Sequence, residues 1–248
     1  MKHPLIQAAR QLNSPAQRGT HCLLEDGRSL EWALAAGLPI EHVFISDKSL
    51  TDFNDLITKY ALKTYSVSEG ILRKITQTKY LTPIIAVCDH RSLQQRPQQS
   101  TVILLDKIQD QGNIGAIIRT AYAFGIHLLA STTPLDLYSK KSITASRGHV
   151  FSCHYFAYES TEDALEDLTT KNYRIIATTP KGQTNTTAFQ RDERPMAIAI
   201  GHEKEGLETL ILQKAHDTLR IPMQNDVESL NASVAAGIAI YATCHALT

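Results

Sequence analysis

The stretch TVILLDKIQDQGNIGAIIRTAYAFGIHLLAS, Thr101–Ser131, decides how the chain is read. TVILLD (Thr101–Asp106) is a short apolar run, the pattern of a strand buried on both faces. Ile114, Ile117, Ile118 and Ala121 then recur at i, i+3, i+4 and i+7, which is one face of a helix over Asn113–Phe124. IHLLAS (Ile126–Ser131) reads as a second strand. Two buried strands joined by a helix imply a parallel crossover, so the fold class expected here is α/β with a parallel sheet.

The same alternation extends in both directions. Downstream come a helix over Glu162–Asn172, the strands RIIATTP (Arg174–Pro180) and MAIAIG (Met196–Gly201), a short strand RIPM (Arg220–Met223), and a closing helix over Asn231–Leu247 rich in small residues. Upstream, SLEWALAAG (Ser29–Gly37) is a helix with Ser29 at a plausible N-cap and Gly37 at its stop. HVFIS, a helix over Leu50–Ala61, KTYSVS, the helix EGILRKITQ and the strand PIIAVCD follow, giving a smaller α/β domain. Between the halves lies QQRPQQS (Gln94–Ser100), a polar linker. Residues 1–96 hold 12 Lys/Arg against 9 Asp/Glu, and residues 97–248 hold 13 against 16. The expected domains are therefore 1–96 and 97–248.

Composition narrows the function classes. The chain has 248 residues, 25 basic and 25 acidic, with 43% apolar residues, as expected of a globular protein. No apolar run approaches the ~20 residues of a membrane span, and MKHPLIQAARQLNS has no secretory h-region. The four cysteines form no CxxC pair and are expected as free thiols in a reducing cytoplasm. His149 and His154 are five apart, not at the spacing of HExxH, so no metal site is expected.

Three glycine-bearing turns follow strands, and in an open α/β sheet ligands bind beyond the carboxyl ends of strands. In DQGNIGAIIRTAYAFG, Asn113 stands at a helix start, where it either caps the helix or faces a ligand. Arg119 lies off the apolar stripe, either solvated or aimed at an anion. AIAIGHEKEGL has two glycines in GxxxxG spacing, but Leu207 follows where a P-loop needs Lys and Ser/Thr. No GxGxxG occurs anywhere in the chain, which argues against a nucleotide-dependent oxidoreductase. In IPMQNDVESLNASVAAG, Ser229 and Asn231 precede the last helix as caps or as ligand contacts.

Together, N-I-G-A-I-I-R-T-A (Asn113–Ala121), G-H-E-K-E-G-L (Gly201–Leu207) and I-P-M with E-S-L-N-A-S-V-A (Ile221–Met223, Glu228–Ala235) resemble, in order, the three motifs of the SpoU (TrmH-type) RNA ribose 2′-O-methyltransferases of the SPOUT class. LLEDGRSLEWAL and TPIIAV resemble, more weakly, parts of the small RNA-binding domain often fused to this family. The resemblance implies a C-terminal trefoil knot and a pocket for S-adenosylmethionine formed by Thr179, Pro180, Gly201, Ile221 and Leu230. It places the catalytic positions on Asn113, Arg119, Glu203, Ser229 and Asn231, with Glu203 holding Arg119 or neighbouring backbone amides. It also implies a homodimer through the C-terminal domain, and RNA as partner, ribosomal rather than transfer RNA. The sequence departs from the family pattern at Gln111, where Pro is usual, and at His202, where Asn is frequent. A transfer-RNA enzyme and a catalytically silent RNA-binding relative are the alternatives. Two basic clusters, Arg73/Lys74/Lys79 and Lys140/Lys141/Arg147, are either solvated surface or phosphate clamps.

Overall fold

The computed structural model describes residues 3–80, 82–94, 101–225 and 228–245. The chain divides into two compact units, Met1–Leu93 with Asp136–Phe151, and Gln94–Leu135 with Ser152–Thr248. Most of the linker predicted over 94–100 lies outside the described residues.

The first unit runs α1 (Pro4–Gln11), α2 (Pro15–Arg18), β1 (His21–Leu24), α3 (Gly27–Ala35), β2 (Ile40–Ser46), α4 (Asn54–Lys59), β3 (Thr64–Val67), α5 (Glu69–Thr76) and β4 (Ile84–Asp89). Its sheet has the order β1-β4-β2-β3, with β4 antiparallel to both neighbours and β2 parallel to β3. Ile6 and Ala9 of α1 and Leu72 and Ile75 of α5 pack with Leu23, Phe44, Ile85 and Val87 into one core. The cap of α3 is Asp26 and not Ser29. The Asp26 carboxylate accepts from Ser29 N at 2.7 Å, while the Ser29 hydroxyl accepts from Asp26 N at 3.3 Å, a capping box with Ser29 inside the helix. The helix predicted over 50–61 is instead one 3-10 turn, Thr51–Phe53, followed by α4, and neither element buries a residue that would reward a longer helix.

Residues 136–151, read from sequence as part of the catalytic half, belong to the first unit. Arg18 pairs with Asp136, and Lys140 with Glu25 at 2.9 Å. Gly148, at φ +79°, lies so close to Trp32 that an added Cβ would sit 2.4 Å from the indole's own Cβ. Leu137, Ile143, Val150 and Phe151 are buried. This segment contains α7 (Lys140–Ala145). No single cut near residue 96 separates the units.

The second unit contains β5 (Thr101–Leu105), α6 (Gln111–Ala123), β6 (Leu128–Ser131), β7 (His154–Ala157), α8 (Thr161–Thr170), β8 (Arg174–Thr178), β9 (Thr184–Asn185), β10 (Met196–Ile200), α9 (Thr209–Lys214), β11 (Asp217–Arg220) and α10 (Ala232–Cys244). Its seven strands are parallel throughout, in the order β7-β6-β5-β10-β8-β11-β9. The central strands β5 and β10 are buried along their whole length, which is why they read as continuous apolar runs. The strand read at RIPM lies earlier, at β11. Arg174 fixes Asp217 at 2.6 and 2.9 Å and Leu219 is buried, whereas Pro222 has no N–H to give a ladder. α10 returns to pack on α6 and β10. Among the described residues no helix is long and apolar enough to cross a membrane. All four cysteines are free thiols, and burial pushes Cys153 up to about 12.

Candidate active site

The site in the second unit gathers where β5, β10, β8 and β11 end. Asp106, one residue beyond β5 and fully buried, accepts the Thr132 hydroxyl at 2.6 Å and the Glu208 backbone N–H at 2.7 Å. It ties the ends of three loops to the sheet. The Glu208 carboxylate takes Lys107 Nζ at 3.1 Å and the Thr161 hydroxyl at 2.9 Å, contacts that hold it below the usual carboxylate range.

Beyond β10, residues 201–207 close on themselves. His202 N donates to Gly206 O at 3.1 Å and Gly206 N to His202 O at 2.9 Å, with Gly206 at φ +72°. Gly201 lies under this turn. A Cβ there would meet the backbone of Gly206 and Leu207 at 2.3 and 2.4 Å, so only glycine fits. Thr179 and Ile221 stand just past β8 and β11, the two strands next in order to β10. Thr179 N donates to Leu219 O at 2.9 Å. This cradle is built largely of backbone at adjacent carboxyl ends, and it fits an adenosyl cofactor held by main-chain groups.

Three predicted side chains meet. Asp110 caps α6 by accepting from Asn113 N at 2.8 Å, which leaves the Asn113 side chain free of capping. Its Nδ2 donates to Glu203 Oε1 at 2.5 Å, and its Oδ1 accepts from Asn231 Nδ2 at 3.0 Å. Asn231 Oδ1 then caps α10 through Ser233 N at 2.9 Å and Val234 N at 3.4 Å, and also accepts the Ser233 hydroxyl at 2.6 Å. A carboxylate only accepts, so each amide in the chain Glu203–Asn113–Asn231 has its orientation dictated by the one before. Asn231 thus both caps and reaches across the site, combining the two roles left open by sequence.

The other two stand apart. Arg119 is exposed on α6 and, among the described residues, has no hydrogen bond or ion pair. Six residues from Asn113, it is roughly 9 Å further along the axis and on another face. The expectation that Glu203 holds Arg119 is therefore not met: Glu203 is engaged by Asn113. Ser229 is exposed two residues before the α10 cap, Pro180 is exposed after β8, and Leu230 is half-buried beside Asn231. Sequence reasoning missed Asp106, Asp110 and Glu208. An acid ending the buried run TVILLD was the available signal for the first, since a buried carboxylate must find donors.

A model described as the SpoU rRNA methylase family matches residues 100–241. The chain belongs to the SpoU family. The 23S rRNA (guanosine(2553)-2′-O)-methyltransferase RlmP of Bacillus subtilis is 26% identical over 97% of this chain and 96% of its own. A solved RNA 2′-O ribose methyltransferase is 31% identical, with a TM-score of 0.79 over 97% of this chain and 95% of its own. The SpoU methyltransferase AviRb of Streptomyces viridochromogenes, solved in complex with AdoMet, is 22% identical with a TM-score of 0.84 over 98% and 97%. Both departures from the SpoU pattern have local explanations. Gln111 is the first residue of α6, where Pro is favoured for its fixed φ and its dispensable N–H but is not required, so Gln still opens the helix. His202 Nδ1 accepts from Lys204 N at 3.2 Å and Glu205 N at 3.4 Å, the turn bonds an Asn side chain would make.

The predicted RNA contacts lie in the first unit. Arg73 and Lys74 are exposed on α5, and Lys79 is exposed beyond it. Lys140, in its pair with Glu25, is partly neutralised. Lys141 and Arg147 are exposed, Arg147 at φ +50°.

Proposed function

We propose that this protein transfers a methyl group from S-adenosylmethionine to a ribose 2′-hydroxyl in structured RNA, ribosomal RNA in preference to transfer RNA. The observation that carries the reading is the Glu203–Asn113–Asn231 chain, in which all three motifs of a SpoU methyltransferase meet through side chains at the strand ends. The cofactor, when bound, supplies a methyl group on a sulfonium that is already a good leaving group. The protein's task is alignment, a contribution of up to about 7–11 kcal/mol in favourable models. Thr179, Pro180, Gly201, Ile221 and Leu230 hold the cofactor. Asn113 and Asn231 fix the turn that bears Glu203 and present rigid amides to the ribose, and Ser229 contacts the substrate hydroxyl. Arg119 carries a guanidinium, a group that stays charged and does not serve as a base. Exposed and unpaired, it anchors the target phosphate and stabilises the oxyanion as the hydroxyl proton leaves to solvent.

The chain end is read as a trefoil knot. This is supported by β8 lying between β10 and β11 while α10 returns to α6 and β10. A homodimer through α10 is supported by exposed Val234 and Tyr241, the latter packed edge-on against Phe124 at 6.0 Å. Free thiols and an RNA substrate support a cytoplasmic location. The test is to map 2′-O-methyl groups in ribosomal and transfer RNA from cells with and without the protein. Loss of one ribosomal site is expected. Unchanged methylation in both RNAs sinks the reading.

A further inference from the structure

The first unit holds a feature that methyl transfer does not use. An open groove of about 640 Å³ is lined by Gln7, Arg10, Arg73, Lys74 and Gln77. Its walls are α1 and α5, whose opposite faces share the core formed by Ile6, Ala9, Leu72 and Ile75. Asn13 pins the two helix ends together, its Nδ2 donating to Arg10 O at 2.8 Å and to Ile75 O at 2.5 Å. Three cations and two amides therefore face one rigid concavity with no carboxylate in its lining. Among the described residues Arg10, Arg73 and Lys74 have no ion pair, although Arg18, Lys48, Arg91 and Lys140 of the same unit all do.

Arg10 lies in the last turn of α1, and Arg73 and Lys74 in the last turn of α5, where a basic side chain complements the helix dipole. The dipoles do not account for the two helix ends sharing one groove, where the three charges repel one another. A polyanion relieves that repulsion. Gln77 sits at φ +55° and turns the chain out of α5, and Tyr80 follows three residues later with 80% of its surface exposed. Three residues span at most about 11 Å, so the ring is within reach of a strand lying in the groove. An exposed aromatic beside a cationic track is the combination that binds unpaired bases, one by stacking and the other through phosphates.

We propose that this groove binds a single-stranded segment of the RNA substrate. Arg10, Arg73 and Lys74 hold successive phosphates, Gln7 and Gln77 contact the sugar edge, and Tyr80 stacks on a base. The proposal rests on the RNA-methyltransferase reading for the source of its ligand, and it adds Gln7, Arg10, Gln77 and Tyr80 to the residues considered for RNA.

The test uses the full chain, a labelled single-stranded oligoribonucleotide and a duplex of equal length, with affinities measured across a salt series. Arg10→Gln combined with Arg73→Gln should weaken single-strand binding at least tenfold. It should also flatten the slope of log K against log salt by about 1.4, at ~0.7 per phosphate contact. Tyr80→Ala should weaken binding about fivefold or more with the slope unchanged. The substituted side chains are exposed, so circular dichroism should be unaltered, and S-adenosylmethionine binding by calorimetry should match wild type. Unchanged single-strand affinity in both variants, or equal losses for duplex and single strand, overturns the groove. If the protein neither binds the cofactor nor methylates RNA, the functional reading falls. The groove then still stands or falls on the oligonucleotide data alone.

Discussion

The two units handle polar groups in opposite ways. In the second, the polar side chains of the site satisfy one another: Asp106 holds a hydroxyl and a backbone amide, and Glu203, Asn113 and Asn231 form a directed chain. In the first, Arg10, Arg73 and Lys74 are exposed beside an open groove and, among the described residues, form no ion pair. A network that satisfies itself is rigid and suits a reaction that needs alignment. Unpaired surface cations suit a flexible polyanion whose charges complete them. If the difference is functional, damage to the cofactor cradle of the second unit should abolish chemistry and spare oligoribonucleotide binding, and damage to the groove should weaken that binding and spare cofactor binding.

The largest effect is expected at Gly201. Gly201→Val drives a branched side chain into the backbone of Gly206 and Leu207, atoms that cannot rotate away. Cofactor affinity by calorimetry should fall at least a hundredfold, while oligoribonucleotide binding stays within about twofold. Normal cofactor affinity would show that the pocket lies elsewhere.

Arg119 is the exception within the second unit, an exposed cation among mutually satisfied groups, and so it sharpens the contrast. Arg119→Ala should lower the methylation rate by two or more orders of magnitude and leave cofactor affinity nearly unchanged. Arg119→Lys keeps the charge and loses the planar fork, so it should remain impaired at every pH. A Lys variant near the wild-type rate, with its pH profile moved down, would make this residue the base.

These expectations also show what the sequence made legible. The parallel sheet was readable because β5 and β10 are buried on both faces and so lack any alternation to misread. Asn113, Glu203 and Asn231 were readable as residues. Their mutual bonding was not, since 90 and 118 residues separate the partners. The membership of residues 136–151 was invisible for the same reason: it depends on Gly148 meeting Trp32 and Arg18 meeting Asp136. A fragment starting at residue 97 would leave Leu137, Val150 and Phe151 without the unit they belong to, so its failure would say nothing about RNA recognition.

His90 is the converse exception, a buried polar group in the first unit that nothing satisfies. Its ring stacks on Tyr138 at 3.7 Å, neither nitrogen has a hydrogen-bond partner among the described residues, and burial pulls its pKa down to about 4. In the unfolded chain a histidine titrates near 6.5. Above that value both states are neutral and protonation of the histidine contributes nothing to the difference between them. As pH falls from about 6.5 to about 4 the unfolded chain takes up a proton that the folded chain refuses, so stability is lost across that window and no further below it. Melting of the wild type should drop by several degrees over this range. His90→Phe keeps the stacked ring and removes the proton site, so its melting curve should be flatter there. An equal drop in both proteins would assign the pH dependence to other groups.

The smallest effect is expected at His202, where the chain departs from its family without changing the turn. Its Nδ1 accepts two backbone N–H groups, so the ring must carry its proton on Nε2, and an Asn oxygen can take the same bonds. His202→Asn should alter cofactor affinity and rate by less than about threefold at pH 8. His202→Ala removes the acceptor, leaving the N–H groups of Lys204 and Glu205 to water. Loss of such bonds at a partly exposed turn is worth about 0.5–1.5 kcal/mol, so cofactor affinity should fall roughly two- to tenfold. If His202→Ala keeps wild-type affinity, the turn is held by the Gly206 backbone bonds alone and the histidine is incidental to it.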